Sequence, residues 1–139
     1  MFLVVDSDVE LANEMRIHGV HLKKSDMAPA EARELLGPHA VIGVDVDSAS
    51  DIIALRGLDV DYAVLDCADV PDVNAVGSII AEVYKAGVKI HIVVRGVKNL
   101  ADLPLLQQIG VNGFAMSEQI TEATDPVAAT MEILYILSK

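Results

Sequence analysis

The stretch Val9–Val44, VELANEMRIHGVHLKKSDMAPAEARELLGPHAVIGV, decides the fold. Within it a helical pattern hands over to the β-branched run Gly19–Leu22, a second helical pattern follows, and Val41–Val44 is another run of the first kind. The alternation continues outward, to Phe2–Val5 on one side and to Tyr62–Leu65, Ile90–Val94 and Gly113–Met116 on the other. Strand starts recur every 17 to 28 residues or about that, the length of one β/α unit. Five helices lie between the strands and a sixth closes the chain. Ser7 with Glu10 and Ser48 with Asp51 read as capping pairs, and Asp125-Pro126 after Thr124 puts proline in a first helical turn. Gly19, Gly87 and Gly110 stand where a left-handed residue ends a helix just before a strand, and Gly37 and Gly57 have the same place. Cys67–Val73 reads as a polar, proline-containing loop. Consecutive parallel strands with right-handed helical crossovers give either an incomplete TIM-barrel-like (β/α) fold of about six strands or a doubly wound sheet.

Composition agrees with a buried parallel sheet. The 139 residues are 53% hydrophobic and only 4% aromatic, and their length is that of one domain, 1–139. Ten basic against twenty-one acidic residues give −11, which repels nucleic acid and anionic membrane alike. No apolar run approaches the roughly 20 residues of a membrane span, and no basic segment opens the chain, so a cytoplasmic protein is expected. Cys67 is the single cysteine and reads as a buried thiol at a strand end. None of the four histidines forms a zinc-type pair, and all are assigned structural places. No Walker loop, dinucleotide loop or serine elbow is present.

In both architectures ligands bind at the carboxyl ends of the strands. The residues there are Asp6 and Ser7; Lys23, Lys24, Ser25 and Asp26; Asp45, Asp47 and Ser48; Asp66, Cys67 and Asp69; Arg95 and Lys98; Ser117 and Glu118. Ser7, Ser48 and Asp69 also suit helix capping. Asp26, Asp45 and Asp66 come from three successive strand ends and point toward a common axis. Two carboxylates about 6 Å apart repel by roughly 3 kcal/mol at an effective dielectric near 20. Converging acids therefore recruit a cation or a basic partner.

The Val9–Val44 stretch resembles the middle of the thiamine phosphate synthase and TenI family, where a GVHLGQxD strand and loop, an AR..LG helix and an IGxS strand follow in that order. The likeness continues at Asp61-Tyr62, at Lys89–Val97 beside the family's IPVVAIGGI strand, at Gln108–Gly113 beside AGADG, and at Asp125-Pro126. It implies a (β/α)8 barrel entered at its third strand, lacking the two strands that carry the QxRxK motif. The family joins an aminopyrimidine pyrophosphate to a thiazole phosphate with loss of pyrophosphate and with magnesium, while TenI relatives isomerise the thiazole.

Carried over residue by residue, the resemblance makes Asp26 a magnesium ligand, with Asp6 for the second. It makes Lys23, Asp45, Asp47, Asp66, Arg95, Gly96 and Ser117 the substrate-binding set. Lys23-Lys24 replaces the Gly-Gln of the motif, Asp45 its phosphate-binding serine, Asp47 the TenI histidine, and Arg95-Gly96 the double glycine. Asp45 and Asp47 add negative charge beside an anionic ligand, which opposes binding. The expected protein binds a small phosphorylated thiazole or pyrimidine and acts, if active, as a synthase-like transferase or a thiazole isomerase. The alternative is a non-catalytic degenerate barrel serving as a binding or oligomerisation module. Unpaired first and last strands predict a homo-oligomer.

Overall fold

Six parallel strands form in chain order. The computed structural model describes residues 1–70 and 72–139; Pro71, the proline of the loop expected over Cys67–Val73, lies outside the described residues. The elements are β1 (Val4–Asp6), α1 (Val9–Glu14), β2 (Gly19–Leu22), α2 (Pro29–Leu36), β3 (Val41–Val46), α3 (Ala49–Ala54), β4 (Tyr62–Asp66), α4 (Val73–Lys85), β5 (His91–Arg95), α5 (Asp102–Gln108), β6 (Gly113–Ala115), α6 (Glu118–Thr121) and α7 (Pro126–Leu137). The sheet order is β1-β2-β3-β4-β5-β6 and every neighbouring pair is parallel. A doubly wound sheet reverses its strand order at a switch point. This one never does, so the doubly wound alternative is excluded and the strands make a curled, incomplete TIM-barrel-like α/β fold.

Period-two alternation gives the sheet two chemically different faces. Val20, Leu22, Ile42, Val44, Val46, Ala63, Leu65, Ile92 and Val94 are all buried in the helix-facing core. The residues between them, Gly19, His21, Gly43, Asp45, Tyr62, Val64, Asp66, Val93 and Arg95, lie on the concave face. Two glycines there are set by close approach: a Cβ on Gly19 would lie 2.2 Å from the Val41 carbonyl oxygen, and one on Gly43 would lie 2.0 Å from the Tyr62 ring.

The lower end of the sheet is clamped by a device used twice. Asp61, just before β4, donates its amide to the Ile42 carbonyl and accepts the Ile42 amide on its carboxylate, both at 2.8 Å. Asn112, just before β6, does the same to Ile92, at 2.8 and 2.9 Å. Arg33 of α2 ties this end together by donating to the carbonyls of Gly37, Ala40 and Asp59 and to the Asp61 carboxylate. With its lower end fixed, the sheet presents its upper strand ends in a defined register.

Several local expectations are corrected. Asp8, not Ser7, caps α1, accepting from the Leu11 amide; Ser7 sits at φ +65° because its own amide still extends the ladder to the His21 carbonyl. Asp72, not Asp69, caps α4. Gly19 opens β2 in extended conformation, and the left-handed residue ending α1 is Arg16 at φ +51°. A short seventh helix, α6, follows β6. Ser48 caps α3 and Asp125 caps α7 as expected, and Gly37, Gly57, Gly87 and Gly110 all have positive φ.

Candidate functional site

A continuous polar chain crosses the concave face near the upper strand ends. The Tyr62 hydroxyl lies 3.3 Å from His21 Nδ1, and His21 Nε2 lies 2.7 Å from Asp45 Oδ1. Asp45 Oδ2 accepts from Arg95 Nη2 at 3.3 Å, and Arg95 Nε donates to Asp66 Oδ2 at 2.9 Å. Asp66 Oδ1 then accepts the Ala68 amide at 2.9 Å. A carboxylate only accepts, so Nε2 of His21 carries the proton directed at Asp45, which leaves Nδ1 to meet the tyrosine hydroxyl. The strands explain the assembly. Asp66 and Arg95 are register partners on β4 and β5, while His21 and Tyr62 reach over Gly43, their register partner on the strand between them.

The electrostatics follow from these partners. The Ala68 amide and the Arg95 guanidinium hold the Asp66 carboxyl below the usual carboxylate range. Burial works against the Arg95 charge, but hydrogen bonds to Asp66 and Asp45 raise its pKa. Burial pushes the Tyr62 phenol up, helped by the charges of Asp6, Asp45 and Asp61. Cys67 is only partly buried, not buried as expected, and burial with Asp66 and Asp102 nearby pushes its thiol up.

Beside Arg95 opens a cavity of about 620 Å³ between the ends of β4, β5 and β6. Asp66, Arg95, Gly96 and Ser117 of the expected substrate set line it, together with Cys67 and Lys98. Gly96 has φ +78°, and a Cβ there would also crowd Asp66 Oδ1 at 3.3 Å, so only glycine turns the chain here without strain. Four acids, Asp66, Asp72, Asp102 and Glu118, face two bases in the lining. Two of them are already committed, Asp66 to Arg95 and to the Ala68 amide, Asp72 to its helix cap.

The remaining expected residues sit apart from the cavity. Lys24, beside the exposed Lys23, binds Asp47 at 2.5 Å and Asp51 at 2.7 Å, which raises the lysine pKa and consumes the Asp47 charge. Asp26 accepts the Lys23 amide at 2.7 Å, and the Ser7 hydroxyl and that amide lower its pKa. Asp6 precedes Ser7 at the end of β1. Among the described residues no three His, Cys, Asp or Glu side chains converge as a metal cage. Asp26 and Asp6 both offer carboxylate oxygens, the ligand type that magnesium takes.

His21 and Tyr62 were not in the expected site. The signal for them was parity: Val20 and Leu22 face the helices, so His21 faces the other way with Asp45 and Tyr62.

The family described as thiamine monophosphate synthase matches residues 1–120. A thiamine-phosphate synthase of Bacteroides fragilis is 34% identical over 96% of this chain and 71% of its own length. One from Vibrio campbellii is 28% identical over 97% of this chain and 69% of its own. Among solved structures, the thiamine phosphate pyrophosphorylase of Pyrococcus furiosus superimposes with a TM-score of 0.81 at 25% identity, over 99% of this chain and 67% of that one. A 3-hexulose-6-phosphate synthase, at 20% identity and a TM-score of 0.68, shares the fold.

Proposed function

Since the chain belongs to the thiamine monophosphate synthase family, we propose that residues 1–139 act as one domain in thiamine biosynthesis, holding a phosphorylated thiazole or pyrimidine at the upper ends of β3 to β6. The observation that carries this reading is the Arg95 guanidinium, fixed by Asp45 and Asp66 at the mouth of a cavity of about 620 Å³. That volume suits one small heterocycle. Arg95, Gly96 and Ser117 face the phosphate, Asp45 and Asp66 orient the arginine, and Lys23 and Asp47 stand on the rim toward β2 and β3. Asp26 and Asp6 would hold magnesium, which when bound supplies charge neutralisation for a phosphate or pyrophosphate group. Where turnover follows binding, the two reactions open to the site are transfer of the pyrimidine to the thiazole with loss of pyrophosphate, and isomerisation of the thiazole. The alternative, a non-catalytic degenerate barrel serving as a binding or oligomerisation module, has no support among the similar proteins.

Isothermal titration with thiazole phosphate, with and without magnesium, tests the reading. Heat of binding that strengthens with magnesium is expected; no heat under either condition overturns it.

No helix among the described residues is long and apolar enough to cross a membrane, which is compatible with the cytoplasmic setting proposed here. Self-association with a second copy is part of the same reading. β1 and β6 each pair on one side only, Phe2 and Leu3 are exposed at the first edge, and Val127, Met131 and Leu134 form an exposed stripe on α7. Size-exclusion chromatography at micromolar concentration should give a dimer, and a clean monomer refutes this part.

A further inference from the structure

His21 is the one buried polar or charged side chain among the described residues, at 8% exposure, and it lies on the concave face instead of in the helix-facing core. Too enclosed to meet a ligand in the cavity directly, it touches Asp45 and Tyr62. Resting on the phosphate-binding reading above, we infer that His21, braced by Tyr62, is a positioning residue that acts through Asp45 to aim the Arg95 guanidinium at its ligand.

The geometry gives each group one task. Asp45 has two oxygens and uses one on His21 and the other on Arg95, so the carboxylate plane is fixed from both ends. A carboxylate held at one oxygen turns freely about its last torsion. Arg95 in turn spends Nε on Asp66 and Nη2 on Asp45, which fixes the guanidinium plane and leaves Nη1 with no protein partner among the described residues. Tyr62 completes the brace. Its ring lies over Gly43 and is stacked on the imidazole at 5.8 Å between centroids and 22° between planes, with its hydroxyl on Nδ1. An aimed arginine loses less rotamer freedom on binding than a loose one, and re-immobilising one long side chain weakens affinity by about three- to tenfold.

Two measurements on the full chain test the inference. The first needs no ligand: solvent exchange of the Arg95 Nη2 protons, which Asp45 accepts, followed by NMR, should accelerate several-fold in His21→Leu and return toward the wild-type rate in His21→Gln, whose amide nitrogen occupies the place of Nε2. Tyr62→Phe, which removes only the hydroxyl, should move exchange in the same direction by less and keeps the test open if the leucine variant does not fold. Unchanged exchange in the folded variants overturns the inference. The second is a double-mutant cycle read by titration with thiazole phosphate. His21→Leu should weaken binding about three- to tenfold in the wild-type background and not at all in an Arg95→Ala background, whereas equal losses in both mean that His21 does not act through Arg95. A wild type that does not bind thiazole phosphate refutes the proposed function, and the exchange rates still decide the role of His21.

Discussion

Gly43→Ala tests the packing on which the polar chain stands. Gly43 is not in the left-handed region, so alanine fits its backbone, and in a strand interior alanine is intrinsically better by about 0.5–1 kcal/mol. Against that gain, the new Cβ would lie 2.0, 2.3 and 2.5 Å from three atoms of the Tyr62 ring, far inside contact distance. The ring must swing away, and it takes with it the hydroxyl that meets His21 Nδ1. Overpacking of this kind costs about 1–3 kcal/mol, so the net effect should be destabilisation by up to about 2.5 kcal/mol in urea unfolding. The same substitution in a Tyr62→Ala background meets no ring and should stabilise by the intrinsic 0.5–1 kcal/mol or about that. The change of sign is the decisive feature. Equal destabilisation in both backgrounds would mean that the tyrosine ring is not what reserves this position for glycine.

Three further outcomes follow from contacts elsewhere in the sheet. Arg33→Ala leaves the carbonyls of Ala40 and Asp59 and the Asp61 carboxylate without their shared donor, and should lower unfolding stability by about 2–4 kcal/mol, with Arg33→Lys recovering only part because an ammonium cannot span the fork. The Asp66 carboxyl titrates below its unfolded value, so its contribution to stability is complete above the unfolded pKa and is lost as pH falls through the folded one. Urea midpoints measured from pH 5 down to pH 2 should therefore fall more steeply in the wild type than in Asp66→Asn. The Cys67 thiol, raised by burial and by neighbouring acids, should alkylate with iodoacetamide at pH 7.5 more slowly than an unfolded control, and faster in Asp66→Asn than in the wild type.

The architecture was legible because its signals are local and repeated. The strands are short, mostly apolar runs, four glycines end helices in the left-handed region, and Ser48 and Asp125 cap where their spacing said they would. The errors arose where two local roles compete for one residue. Ser7 and Asp8 are both competent caps, and only the pairing of the Ser7 amide with the His21 carbonyl decides between them. Gly19 looks like a helix-ending glycine beside His18, yet its reason is a carbonyl on Val41, twenty-two positions along the chain and invisible to a local reading. The candidate site divided in the same way. Arg95, Gly96, Asp66 and Ser117 line one cavity because strand ends converge in a barrel, a rule that does not reach His21, which sits inside a strand and not at its end. Barrel sites draw on the concave face as well as the rim, and only side-chain parity marks that face in a sequence.

The same geometry changes the meaning of the departures from the family pattern. Taken one at a time, aspartates at positions 45 and 47 in place of a serine and a histidine place two uncompensated charges where the family pattern implies an anion. In the folded chain neither is uncompensated. Asp45 is met by Arg95, which itself replaces a glycine of the pattern, and by His21; Asp47 is met by Lys24, which replaces a glutamine. Each added acid thus comes with an added base on a neighbouring loop or on a strand two places away in the sheet, close enough to pair. The charge balance around the mouth is then altered far less than the sequence suggests, while its geometry is altered a great deal. Where the pattern has a glycine, this chain has a guanidinium held in place by two carboxylates, and on the proposed reading a phosphate would meet that oriented side chain.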